Sequence, residues 1–244
     1  MSPSPLADAV EVKVLLFAAP REAAGRREVR VRVADRATAR DVLDALVLLH
    51  PELARWRGTA AIAVNRRVAA EGAPVSAGDE VALLPPVSGG SSGVSRPARR
   101  ADLTDRPLDV AAALAAADHT GAGAAVCFLG LVRSPAAEGP VERLEFEAYE
   151  AMARAELADV AARACAKFGL VDARIVHRVG TVAAGEPVVL VVVTAAHRTE
   201  AFGAAAWVMD ELKTIVPIWK KEIGPWGGRW VKDPPAGEQA RSGP

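Results

Sequence analysis

The chain has 244 residues, 51% apolar and 25% charged, and its 30 lysines and arginines balance 30 aspartates and glutamates. That length allows two modest domains, and the charge balance excludes a global field for nucleic acid or an anionic membrane, so any basic site must be local. No apolar run approaches the roughly 20 residues of a membrane span. Met1-Ser2-Pro3-Ser4-Pro5 lacks the basic and apolar regions of a signal peptide. Cys127 and Cys165 lie in apolar stretches and read as small core residues rather than a disulfide pair. A cytoplasmic location is expected.

In chain order, Val10 to Phe17 reads as a strand that ends at turn residues around Pro20. Glu28 to Val33 alternates strictly, with one face buried and Arg30 and Arg32 in a charged row on the other. Thr38 is a candidate N-cap for a helix from Ala39, with Val42, Leu43, Leu46 and Leu49 on its core face. Pro51 and Gly58 close that segment. Ala61 to Asn65 is a further strand with Asn65-Arg66 as its turn, and Gly78-Asp79 turns into a last strand, Glu80 to Leu84. The expected order is β-β-α-β-β, one helix across a small sheet.

Alternation stops at Leu84, Pro85-Pro86 stiffens the exit, and Val87-Ser88-Gly89-Gly90 follows. Glycines without side chains can thread a narrow cleft, although Gly/Ser runs are also plain linkers. Ser91 to Arg100 reads as a linker, with a reach of at most roughly 35 Å.

Leu103 to Pro107 is expected to open an Ala-rich helix running to Ala117, with Asp105 as candidate N-cap. Ala124 to Val132 is nearly continuously apolar, as a buried strand would be; Gly130 interrupts it and Arg133 ends it. Val141 to Tyr149 alternates. A helix follows from about Met152, stopping at Gly169, with Leu157, Val160, Ala161, Ala164 and Phe168 inward. Arg174 to Val179 and Val188 to Ala195 are strands separated by Gly185-Glu186. His197-Arg198-Thr199-Glu200 opens another helix, capped by Thr199 or Arg198, with Phe202, Ala205, Met209 and Leu212 on its core face and Lys213 in its last turn. After Pro217, Ile218 to Glu222 reads as a short strand with Lys220 and Lys221 on opposite sides. A strand end, a helix end and the next strand could thus converge one histidine and several cations. Each has an ordinary explanation as well: Lys213 suits a helix C-terminus, Lys220-Lys221 suits a protected edge, and Arg133 suits a loop.

The β-β-α-β-β order with Asn65-Arg66, Gly78-Asp79-Glu80-Val81 and Pro85-Pro86-Val87-Ser88-Gly89-Gly90 resembles the small sulfur-carrier subunit of molybdopterin synthase, a ubiquitin-like β-grasp protein. Downstream, Phe128-Leu129-Gly130-Leu131-Val132-Arg133, Tyr149-Glu150-Ala151-Met152, His177-Arg178-Val179-Gly180, Ala196-His197-Arg198, Met209-Asp210-Glu211-Leu212-Lys213-Thr214, Pro217-Ile218-Trp219-Lys220-Lys221-Glu222 and Arg229-Trp230-Val231 resemble its large catalytic subunit. The implied fold class is α+β: residues 1–90 as the carrier domain, 91–100 as linker, and 101–244 as an α/β hammerhead-type catalytic domain with a C-terminal tail.

The resemblance implies a sulfurtransferase that moves sulfur from a thiocarboxylate on Gly90, after Gly89, to cyclic pyranopterin monophosphate, making the molybdopterin dithiolene. It assigns Arg133, His197 and Arg198 to binding of the pterin phosphate and the incoming tail, and Lys213 and Lys220 to catalysis. Arginine suits anions because its guanidinium binds bidentately, and lysine suits proton work. No cofactor and no metal are expected. The implied partners are an enzyme that adenylates and sulfurates the Gly-Gly tail, a second copy forming a homodimer through the C-terminal domain, and a protease acting at Gly90–Ser91. Lys232 stands near where the family can place a cross-dimer arginine. A non-catalytic ubiquitin-like carrier or adaptor fused to a phosphate-binding module is the alternative.

Overall fold

In the computed structural model residues 9–86, 101–134 and 140–231 are described. Gly89-Gly90, the 91–100 linker, Lys232 and the remaining tail lie outside the described residues. The chain falls into two units, one including 9–64 and 69–86, the other including 101–134 and 140–229.

The first unit is a mixed sheet under one main helix. β1 (Ala9–Leu16) pairs antiparallel with β2 (Glu28–Ala34) and parallel with β5 (Glu80–Leu84), in the order β2-β1-β5-β3-β4 with β3 (Ala61–Val64) and β4 (Arg67–Ala69). Alternation works as expected: Val29, Val31 and Val33 are buried while Arg30 and Arg32 are exposed. α2 (Ala39–Leu49) starts at a capping box, in which Thr38 Oγ1 accepts from the Asp41 amide and Asp41 Oδ2 accepts from the Thr38 amide at 2.8 Å. Val42, Leu43 and Leu46 pack with Val12, Val14, Leu16 and Trp56 in the core. This is a β-grasp arrangement.

Two expectations are corrected here and one strand is added. The segment around Pro20 is a short helix, α1 (Ala18–Ala24), with proline in its first turn, where the missing N–H costs nothing. Leu49 is 59% exposed, because it falls on the last turn of α2 beyond the edge of the core. Asn65-Arg66, both at positive φ, is the turn expected, and it leads into a short strand, β4, that was not expected.

The second unit carries two four-stranded sheets. One has the order β6-β9-β11-β7, from β6 (Ala101–Thr104), β7 (Ala124–Leu131), β9 (Asp172–Arg178) and β11 (Pro187–Ala195). The other has the order β10-β8-β12-β13, from β8 (Arg143–Ala148), β10 (Gly180–Ala183), β12 (Ile218–Gly224) and β13 (Gly227–Trp230). α4 (Glu150–Phe168), ended by Gly169 in the left-handed conformation, packs beside α5 (Arg198–Ile215). Small residues on both helices (Ala161 and Ala164, Ala201 and Ala204) join Leu157, Val160, Val191, Val193 and Val208 in one core.

Residues 101–104 form a strand parallel to β9, not a helix start; the helix, α3 (Val110–Ala116), begins later and is capped by Asp109, whose Oδ1 accepts from Ala112 N at 2.8 Å. α5 has His197 at its N-cap position with no side-chain cap bond, so neither Arg198 nor Thr199 caps it. Its inward face is Ala201, Ala204, Ala205 and Val208, whereas Phe202 is 64% exposed. β7 is an edge strand. Its apolar run leaves Phe128, Leu129 and Leu131 exposed, and Cys127 with them, where burial was expected.

Candidate active site

β11 and β7 run antiparallel, with Pro187 opposite Leu131 at one end and Ala195 opposite Ala124 at the other. Arg133 leaves the sheet at the first end, and His197 and Arg198 leave it at the second, roughly 23 Å away at about 3.3 Å per strand residue. α5 then packs back along β11 and β7. From Arg198 to Lys213 it climbs roughly 22 Å, at about 1.5 Å per residue, which returns Lys213 to the Arg133 end. One copy of the chain therefore brings Arg133 and Lys213 to one end of the sheet and holds His197 and Arg198 at the other. The convergence expected of all these cations does not occur within a single chain.

Lys220 joins the first group through the second sheet. A ladder of backbone bonds links the exits: Val132 N donates to Glu186 O at 3.0 Å, Gly185 N to Val132 O at 2.8 Å, Ala184 N to Glu142 O at 3.0 Å, and Glu142 N to Ile223 O at 2.9 Å. β12 is thus tied to the stretch that carries Arg133. Its register sets Lys220 opposite Phe146 and Lys221 opposite Glu145, so the two lysines project from opposite faces. Lys220 shares its face with Glu222.

The environments of the two lysines differ. Lys213 is exposed, with Asp210 Oδ1 3.9 Å from its Nζ. Lys220 is half-buried, and its Nζ lies 3.7 Å from Glu222 Oε1, while Glu222 Oε2 accepts from Arg229 Nη2 at 3.3 Å. Glu222 is only 13% exposed and holds both cations. Neither Glu222 nor Arg229 was assigned a role by sequence reasoning. The available signal was the two-residue spacing from Lys220 to Glu222, which in a strand puts both on one face. Arg133, His197 and Arg198 are exposed. Among the described residues no three His, Cys, Asp or Glu side chains are grouped to hold a metal ion, and no helix is long and apolar enough to cross a membrane.

Phe146, the cross-strand neighbour of Lys220, meets the His177 ring edge-on, with ring centroids 5.3 Å apart. Burial pushes the His177 imidazole down to about 4, against the opposing pull of its bond to Arg178 O. The unfolded chain takes up this proton near pH 6.5 and the folded chain only near 4. This contribution to stability is therefore complete above about pH 6.5 and lost as pH falls to about 4. Denaturant midpoints measured across that window should fall for the wild type, and His177→Gln should lack that component of the fall.

The family model described as MoaE protein matches residues 103–215, and that of the ThiS family matches residues 14–90. The molybdopterin synthase catalytic subunit of Caulobacter vibrioides is 46% identical over 134 residues, covering 53% of this chain and 87% of that protein. That of Pyrococcus abyssi is 41% identical over 135 residues, covering 54% and 91%. The crystal structure of molybdopterin synthase from Staphylococcus aureus superposes with a TM-score of 0.51 at 34% identity, covering 53% of this chain and 94% of that one. The catalytic match begins after the carrier-type match ends, and between them they take in Arg133, His197, Arg198 and Lys213 on one side and Gly89-Gly90 on the other. The chain belongs to the molybdopterin synthase catalytic-subunit family and carries a ThiS-family domain ahead of it in the same polypeptide.

Proposed function

We propose that this chain is a molybdopterin synthase fused to its own sulfur carrier, a sulfurtransferase that converts cyclic pyranopterin monophosphate to molybdopterin. The observation that carries the reading is the order of the two matches, a carrier-type stretch that stops at residue 90 followed by a catalytic-type stretch from residue 103. In this reading Gly90 is adenylated and sulfurated by a separate enzyme. Its thiocarboxylate sulfur bonds to a pterin carbon as a C–O bond of that carbon breaks, the oxygen staying on the opened phosphate in one transfer and leaving as water in the other. A water molecule then hydrolyses each thioester to release the tail as a carboxylate. Two such transfers and opening of the cyclic phosphate give the dithiolene. Arg133 and Arg198 orient the phosphate and the thiocarboxylate. Lys213 and Lys220 supply charge stabilisation and protons, and His197 orients the incoming group.

The split of the cations between two ends of one sheet is resolved by a second copy. β7 offers unpaired backbone groups along with exposed Phe128, Leu129 and Leu131. Antiparallel pairing with the same strand of a partner, about a two-fold axis through its middle, sets Arg133 of one chain beside the start of the partner's β7. His197 and Arg198 of that partner lie about two strand spacings away, roughly 10 Å.

A thiocarboxylate can form only on a free Gly90 carboxylate, so the reading includes cleavage at Gly90–Ser91. The test is mass spectrometry of the pterin and of the protein after incubation with cyclic pyranopterin monophosphate, a sulfur source and the tail-activating enzyme. The pterin should gain two sulfurs, and only when an N-terminal fragment ending at Gly90 is present. An unchanged pterin mass with the cut, sulfurated protein would instead favour the non-catalytic carrier or adaptor. Full turnover by uncut chain without any other carrier would overturn the processing step.

A further inference from the structure

We infer that Arg178 is a positioning residue for Arg133, acting through a latch on the turn between β10 and β11. The inference rests on the reading of Arg133 as the ligand of the pterin phosphate. Arg178 ends β9 and is 5% exposed. Its Nη1 has two hydrogens and uses both, donating to Glu186 Oε2 at 3.0 Å and to Pro187 O at 3.1 Å. Glu186 Oε2 also accepts from Ala183 N at 3.3 Å. The guanidinium and the carboxylate together therefore close the hairpin turn from 183 to 187.

That turn is what holds the exit of β7. Val132, immediately before Arg133, donates to Glu186 O and accepts from Gly185 N. Between Gly130 and Leu131 the β7–β11 ladder is interrupted by a register shift from Val189 to Pro187, and past the Leu131–Pro187 pair these two bonds carry the strand's alignment to residue 132. Arg133 itself is exposed. Its direction is set by the backbone it leaves from, and that backbone is pinned to a turn whose geometry Arg178 fixes from below. Ala184 in the same turn donates to Glu142 O, which continues the tie toward β12 and Lys220. Arg178 thus stands where the phosphate-binding end of one sheet is registered against the lysine-bearing sheet. A guanidinium suits this task because its planar donors fix two acceptors at once, which a lysine ammonium on a flexible stem does less well.

The experiment uses the full chain. Arg178→Met should raise the KM for cyclic pyranopterin monophosphate about tenfold with little change in kcat, the pattern of lost binding alignment. Added to Arg133→Ala, it should raise KM no further, because its effect runs through Arg133. Hydrogen exchange should speed up at the Val132 and Gly185 amides while the middle of β11 stays protected. If Arg178→Met does not fold, Glu186→Ala opens the same latch from its half-exposed side and should give the same three results. Unchanged exchange at Val132 and Gly185 would overturn the latch. Faster exchange with an unmoved KM, or a KM effect that adds fully to that of Arg133→Ala, would overturn the positioning role. If Arg133→Ala alone leaves KM unmoved, the reading of Arg133 fails and the positioning role fails with it; the exchange result still reports separately on the latch.

Discussion

Lys220→Ala is expected to lower molybdopterin formation by about 10²–10⁴-fold, the usual size of a general acid–base contribution. The side chain is half-buried on the face of β12 shared with Glu222, whose carboxylate holds the ammonium at 3.7 Å and so limits the positions it can take. In the proposed reaction, loss of the ammonium removes a charge near the two anions that must meet, the cyclic phosphate and the thiocarboxylate. Lys213→Ala is expected to act in the same direction, from the last turn of α5. Lys221 is the internal control. It projects from the other face of β12, opposite Glu145, and Lys221→Ala should stay within about a factor of two of wild type. Single-turnover rates with pre-formed thiocarboxylate, alongside thermal unfolding, separate chemistry from folding. Wild-type rates for Lys220→Ala or Lys213→Ala would remove that residue from the mechanism.

At substrate concentrations well below the wild-type KM, Arg133→Ala alone and a paired His197→Ala, Arg198→Ala variant should each be nearly inactive, and mixing them should restore activity. The reason is the roughly 23 Å that the β7–β11 register puts between the two groups in one chain. If two copies complete each site, a mixed dimer has one site with every cation present and one with none of the replaced groups. Random pairing of equal amounts makes half of the dimers mixed, so about a quarter of wild-type activity returns. Co-expression of the two variants, followed by activity and molecular-mass measurement, checks this. No recovery in a verified mixed dimer would place the whole site within one chain and overturn the two-copy arrangement.

Local rules were enough for much of the fold. The strict alternation of residues 28–33 gave β2 with its buried valines, and Thr38 as N-cap gave the start of α2. Gly169 marked the end of α4 because only a residue free of a Cβ adopts φ 62 without strain. The same kind of reading put Lys220 and Lys221 on opposite faces, and order of motifs located the two family segments. These are properties of a few neighbouring residues, so the sequence alone could determine them.

What depended on distant partners could not be read that way. An apolar run says that β7 avoids water but not whether it lies inside a sheet or at its edge, and here its exposed side is an edge. Phe202 and Leu49 keep helical spacing with core residues, yet both face outward: Leu49 lies on the last turn of its helix, and at Phe202 the face turned inward is that of Ala201, Ala204 and Ala205. Glu222 and Arg178 fall inside motifs that gave neither a role; their partners are set by strand pairing and by a turn eight residues away. The division of the cations is the clearest case. Sequence placed Arg133, His197, Arg198, Lys213 and Lys220 in one list, and only the antiparallel register of β7 and β11, with α5 running back across them, decided which of these share an end. Residue type determines what a side chain can do to an anion; the pairing of strands far apart in the chain determines which side chains can act on the same one.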